Sequence, residues 1–273
     1  MKRKIFFLLA GIFLTLGVGT AEAGKSLYLP LILKPCADFV FLAYGDSITA
    51  GYGATAFPFD LYSIPHSGYV GRLYEDLKDE FKQRYPQQDI VFYNMGIGGQ
   101  TTKDGLDLFK ATITKPIQTC YYDSGCIYPP THQEVLPKLV LLMQGTNDLN
   151  IPAISYEQVD SNLRSMVAIA QQQGVKVVIA TMPPVCGNLS FLQNRIEGFQ
   201  SYIHQIAQDF LIPLADVFGY FYSTPNWETA LLSTDPITGC EHPNDAGYTV
   251  MKQAFLDQIT PLMTANGCFL SAQ

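Results

Sequence analysis

The chain has 273 residues, 48% hydrophobic and 15% charged, which is ample apolar material for one substantial core and no compositional sign of disorder. Its net charge of −7 argues against a nucleic-acid partner, because phosphate backbones are held by clustered Lys and Arg. Six cysteines without a C-x-x-C pair, and four histidines (His66, His132, His204 and His242) without ligand spacing, argue against a metal site.

In chain order, Lys2, Arg3 and Lys4 precede an apolar run over 5–18 that ends in Ala21-Glu22-Ala23. This pattern predicts a secretory signal peptide over 1–23. The run is shorter than the ~20 residues a membrane span needs, so cleavage is expected rather than anchoring, with no stable membrane insertion afterwards. The remaining chain carries 14 Lys and Arg against 23 Asp and Glu, a net charge of −9 that disfavours polyanionic substrates. Export, to the extracellular space or a periplasm, also places Cys36, Cys120, Cys126, Cys186, Cys240 and Cys268 where thiols are oxidised. The expected pairs are Cys120 with Cys126, Cys36 with Cys268, and Cys186 with Cys240.

A linker-like stretch over 24–37 is followed by a single domain over 38–273, in which strand and helix patterns alternate. Short apolar runs at 39–44, 90–93, 139–143 and 175–180, with a weaker one at 212–215, have the character of strands buried on both faces of a parallel sheet. Val70, Leu73, Leu77 and Phe81, and then Val159, Leu163, Met166, Val167 and Ala170, recur at helical spacing. Further helices are predicted over 191–210 and 244–263, and Gly174 suits a helix stop. Together these predict an α/β protein, a three-layer α/β/α sandwich. Residues 111–137 show neither period and are expected to form a long loop near the substrate cleft.

In an open parallel sheet the ligand site lies beyond the carboxyl ends of the strands. Three loops there are unusual: Gly45-Asp46-Ser47-Ile48-Thr49, the glycine-rich 94–102 segment, and Gln144-Gly145-Thr146-Asn147-Asp148. A serine just after a strand can project its hydroxyl into the cleft, where it still needs a base. Gly96, Gly98 and Gly99 allow close backbone approach, and Asn147 carries an amide donor. A fourth segment, 241–247, places His242 immediately before the last helix. Asp46 and Asp148 are expected to brace loops, and His66, His132 and His204 to be surface or packing residues.

With these four motifs in this order, the chain resembles the GDSL, or SGNH, hydrolases over 39–263. The resemblance implies a flavodoxin-like sandwich with about five parallel strands, no metal or other cofactor, and a serine esterase acting on carboxylic esters. It assigns Ser47 as nucleophile, His242 as base, and Ser47 N–H, Gly99 N–H and Asn147 Nδ2 as oxyanion donors. The family's usual aspartate three residues before the histidine is replaced here by Gly239. Support for His242 is therefore expected from Asp235, with a backbone carbonyl near Gly239 or the Glu241 carboxylate as alternatives.

Acetylated carbohydrate, short-chain acyl ester and lysophospholipid all fit the resemblance. The aromatic residues within 52–62 and 220–227 favour a glycan ester, since their faces can stack on sugar rings. A monomer is the default. Two other readings remain: a secreted carbohydrate-binding module that kept the fold but lost its chemistry, favoured by Gly239, and an acyltransferase using the same acyl-enzyme. The glycine loop lacks a P-loop ending and a dinucleotide fingerprint, and no Gly-x-Ser-x-Gly is present, so nucleotide binding and the larger α/β-hydrolases fit poorly.

Overall fold

The structure, a computed structural model, describes residues 39–55, 68–84, 90–114, 126–127, 136–187, 189–234 and 239–263. The expected signal peptide and linker, Asp235, His66, His132, most of the 111–137 loop and the Cys36–Cys268 and Cys120–Cys126 pairings lie outside the described residues.

The described elements follow in chain order. β1 (Phe39–Gly45) runs into α1 (Ser47–Ala50) and α2 (Tyr69–Arg84), then β2 (Ile90–Gly96), α3 (Thr102–Thr114) and β3 (Cys126–Ile127). β4 (Leu139–Met143), α4 (Thr146–Leu149), α5 (Tyr156–Gln172), β5 (Lys176–Ala180) and α6 (Ser190–Asp209) come next. β6 (Leu214–Ala215), α7 (Val217–Tyr222), α8 (Trp227–Ala230) and α9 (Asp245–Ile259) complete the order.

The sheet order is β3-β2-β1-β4-β5-β6. Five of the strands are mutually parallel, as expected, and the two-residue β3 adds an antiparallel edge beside β2. Alternation along β1 separates the two layers of core. Phe39, Phe41 and Ala43 face Val70, Leu73, Leu77 and Phe81 of α2 and Met251, Phe255 and Ile259 of α9. Val40, Leu42 and Tyr44 face Phe109 of α3, the Val159-to-Ala170 stripe of α5 and Leu192, Ile196, Phe199 and Ile203 of α6. Each large apolar side chain so buried contributes about 1.5–3 kcal/mol.

α3 is the main element that sequence periodicity missed. Its buried stripe is Thr102, Gly105, Phe109, Thr112 and Ile113, so small and hydroxylated residues occupy positions where large apolar ones would announce a helix. Close approach explains the glycine, since a Cβ on Gly105 would lie 2.7 Å from Gln144 Nε2 and 2.9 Å from Gln100 Oε1, while its carbonyl accepts from Tyr44 OH at 2.6 Å. The aromatic 220–227 segment lies where α7 ends at Tyr222 and α8 begins at Trp227. The last helix ends at Ile259, with a 3-10 turn over Thr260–Leu262 in which Pro261 cannot extend the α-helical ladder. Gly174 adopts φ +69° after α5, as a helix stop requires.

The strands end level with one another. Gly45 of β1 pairs with Gly96 of β2 on one side and with Met143 of β4 on the other. β2 and β4 leave β1 in opposite directions across the sheet, so the loops after all three open at the topological switch point.

Candidate active site

At the end of β1 only a glycine fits, because a Cβ on Gly45 would lie 2.1 Å from Met143 O and 2.2 Å from Thr49 Oγ1. The chain then turns at once into α1, which Asp46 caps by accepting from Ile48 N–H at 3.0 Å. Gly51 closes it with φ +102°. Ser47 is thus the first residue of a one-turn helix and is half-buried at the strand end. Burial pushes the Asp46 carboxyl up to about 7, opposed by the Ile48 N–H and reinforced by the negative fields of Glu241 and Asp148.

The β2 loop is tied directly to this turn. Asn94 donates through Nδ2 to Thr49 O and accepts from Gly96 N–H, both at 3.0 Å, and Ile97 N–H donates to Gly45 O at 3.1 Å. Gly99 follows with φ +74° and open space where a Cβ would stand. From α4, Asn147 Nδ2 donates to Gln100 O at 3.0 Å, which uses one of its two amide hydrogens and leaves the other for a ligand. Asp148 accepts from Thr102 N–H at 2.8 Å and from Thr102 Oγ1 at 2.7 Å, while Asn162 Nδ2 donates to that hydroxyl oxygen at 2.9 Å. Burial raises the Asp148 carboxyl above the usual carboxylate range, and the two Thr102 bonds oppose this. Asp46 and Asp148 therefore both brace loops, in agreement with the sequence reading.

His242 comes from the other end of the chain. Its Nε2 lies 2.8 Å from Ser47 Oγ, and the residue is 9% exposed. The strand-like segment that carries it is clamped on both sides. Ser233 N–H donates to His242 O at 2.8 Å, Asn244 N–H donates to Leu231 O at 2.9 Å, and Asn244 Oδ1 caps α9 through Ala246 and Gly247. Gly53, at φ +88°, lets the α1 loop pass so close that a Cβ there would sit 2.9 Å from His242 Cβ. The Tyr52 ring lies 5.8 Å from the imidazole, centroid to centroid.

Two residues before the histidine, Cys240 forms the expected disulfide with Cys186, joining the loop after β5 to the His242 segment. Glu241 ends the 3-10 turn Gly239–Glu241 and is half-buried. His204 is exposed on α6, away from these loops in sequence and in role. Sequence reasoning gave no role to Gln100, Gln144, Gly53 or Asn244, and took Tyr52 only as one of the aromatic residues within 52–62. Of these only Asn244 carried a local signal, as a helix N-cap.

Among the described residues no group of three His, Cys, Asp or Glu side chains is placed to hold a metal ion, and no helix is long and apolar enough to cross a membrane. A serine hydroxyl against an imidazole nitrogen, beside backbone N–H groups and a spare amide hydrogen, is an arrangement able to activate a nucleophile and bind an oxyanion.

The GDSL-like lipase/acylhydrolase family model matches residues 43–250. The fold is similar to that of a lipolytic protein of the G-D-S-L family from Veillonella parvula, with 18% identity, TM-score 0.59, and coverage of 82% of this chain and 100% of that one. It is also similar to an acetylxylan esterase from Geobacillus stearothermophilus, with 20% identity, TM-score 0.58, and coverage of 83% and 96%. No curated protein sequence matches the chain.

Proposed function

The chain belongs to the GDSL-like lipase/acylhydrolase family and is a carboxylic ester hydrolase, and from that premise we propose that it cleaves acetyl or other short-chain esters, foremost on carbohydrate, through an acyl-enzyme on Ser47. The observation that carries this reading is the 2.8 Å approach of His242 Nε2 to Ser47 Oγ.

In this mechanism His242, with its own proton on Nδ1, takes the Ser47 hydroxyl proton as Oγ attacks the ester carbonyl. Ser47 N–H, Gly99 N–H and the second amide hydrogen of Asn147 hold the tetrahedral oxyanion. Collapse expels the alcohol, which receives the proton from His242. Water then attacks the acyl-enzyme with His242 again as base, and the free acid leaves. We assign Asp235 as the carboxylate that accepts the hydrogen bond from His242 Nδ1–H, in place of the one that Gly239 lacks. Asp235→Asn should then lower kcat by about 10⁴, whereas support from a backbone carbonyl or from Glu241 would leave kcat near wild type.

Carbohydrate is favoured as the alcohol by the acetylxylan esterase among the similar structures and by the aromatic 220–227 segment. The basic-apolar leader and the Cys186–Cys240 disulfide support a secreted protein, and a monomer is sufficient for the site.

The test is p-nitrophenol release from acetate, butyrate and octanoate esters, and acetate release from acetylated xylo-oligosaccharides, by wild type and Ser47→Ala. Acetate preference with loss of turnover in Ser47→Ala is expected. Turnover that survives Ser47→Ala would overturn the acyl-enzyme, and octanoate preference with inert oligosaccharides would overturn the substrate assignment.

A further inference from the structure

Gln144 follows the last residue of β4 and is 2% exposed. Its Nε2 donates to Gln100 Oε1 at 2.9 Å and to Thr101 O at 3.1 Å, using both amide hydrogens. Its Oε1 is buried and accepts nothing among the described residues. Exchanging the two amide atoms would set Oε1 against two oxygens, so the orientation follows from the partners. A methionine would fill the same volume without a stranded oxygen. The amide is therefore explained by the two bonds it makes and not by packing.

Those bonds fall on the segment that follows Gly99. Three consecutive residues there are gripped from the β4 side: Gln100 O by Asn147 Nδ2, Gln100 Oε1 and Thr101 O by Gln144 Nε2, and Thr102 by Asp148. Gly99 itself, at φ +74° with open space where a Cβ would stand, has no side chain to pack and takes its orientation from the chain on either side. On one side Gln100 N–H donates to Ile97 O at 3.2 Å. The other side is the segment that Gln144 holds. Even the facing helix is shaped to the amide, since a Cβ on Gly105 would lie 2.7 Å from Gln144 Nε2.

We propose that Gln144 is a positioning residue for oxyanion stabilisation: by fixing Gln100 and Thr101 it aims the Gly99 N–H and holds the Gln100 carbonyl that orients Asn147. This rests on the acyl-enzyme reading above. Gln144 touches neither substrate nor Ser47 in this role. Its effect is exerted on the transition state, where donors displaced by a fraction of an ångström lose strength, and not on ground-state binding.

The test compares wild type, Ser47→Ala, Gln144→Met, Gln100→Met and the double variant on p-nitrophenyl acetate, with benzeneboronic acid as a tetrahedral analogue. Gln144→Met should lower kcat and kcat/KM about tenfold, leave KM within about twofold, and weaken the boronate by a similar factor. Its melting temperature should stay close to that of wild type, because loss of the stranded oxygen offsets part of the cost of leaving Gln100 Oε1 and Thr101 O without their donor. Gln100→Met, which removes one of the two bonds, should cost about threefold, and the double variant should match Gln144→Met alone. Unchanged kcat/KM in Gln144→Met, or a rate loss without loss of boronate affinity, would overturn the proposal. Should Gln144→Met fail to fold, unchanged kinetics in Gln100→Met would do the same. Wild-type turnover in Ser47→Ala would instead sink the acyl-enzyme and leave the Gln144 clamp without a reaction to serve.

Discussion

Ser47 Oγ and His242 Nε2 meet at 2.8 Å although 195 residues separate them in sequence. The pair forms because β1 ends beside the segment that Leu231, Leu232 and Ser233 clamp, so the approach is a property of two loop ends and of nothing local to either residue.

Ser47→Ala and His242→Ala should each lower kcat by at least about 10³, and the double variant should lose little more than either alone, since the two act as one unit. Steady-state hydrolysis of p-nitrophenyl acetate measures all three.

Asn147→Ala should cost about 10²–10³ in kcat with a small change in KM. Part of that loss comes from freeing Gln100 O, whose bond to Asn147 Nδ2 would go with the amide. Asn147→Asp should be no better, because a carboxylate can neither donate to Gln100 O nor bind an oxyanion.

Asp46 yields a pH dependence of stability. Its carboxyl rises from 3.8 to about 7 on folding because it is buried. Between those values the folded protein holds a proton the unfolded chain has released, so stability from this group is full below pH ~4 and is lost as pH rises toward ~7. Asp46→Asn keeps an oxygen for the Ile48 N–H and cannot ionise. Thermal melts from pH 5 to 8.5 should show a flatter profile for the variant, which should match or exceed wild type above pH ~7.

Gly53→Ala should damage activity from outside the catalytic pair. At φ +88° an L side chain is strained, and its Cβ would lie 2.6 Å from Pro243 O and 2.9 Å from His242 Cβ. The His242 segment must shift, and a displacement of about 1 Å costs on the order of 10²-fold in rate. The expected result is a large fall in kcat together with a lowered melting temperature.

Cys186→Ala with Cys240→Ala should destabilise the protein by about 2–4 kcal/mol, as expected for opening a loop of 54 residues. Activity should fall at temperatures where the fold persists, because Cys240 lies two residues from His242. Chemical denaturation and kinetics, each with and without reductant, measure the two effects separately.

The four-motif order, the five parallel strands and the helices α2, α5, α6 and α9 were legible in the sequence, because each rests on local periodicity or on residue types whose chemistry is particular to them. Ser47, Asn147 and His242 stood out for that reason, whereas Gly99 was distinguished from Gly96 and Gly98 only by the family resemblance, and the Cys186–Cys240 pairing was a choice among fifteen possible sets of pairings that sequence alone does not decide. α3 did not, since Thr102, Gly105 and Thr112 replace the large apolar residues that make a helical stripe visible. Gln144 and Gln100 did not either, because a glutamine after a strand is unremarkable until the backbone brings Gln100 Oε1 within 2.9 Å of it. Sequence determined which groups are present and which elements carry them, through patterns a few residues long. The Ser47–His242 approach, the grip of the β4 loop on the glycine loop and the burial that lifts Asp46 were decided only by tertiary structure, because each depends on residues far apart in the chain being brought within hydrogen-bonding distance or out of water.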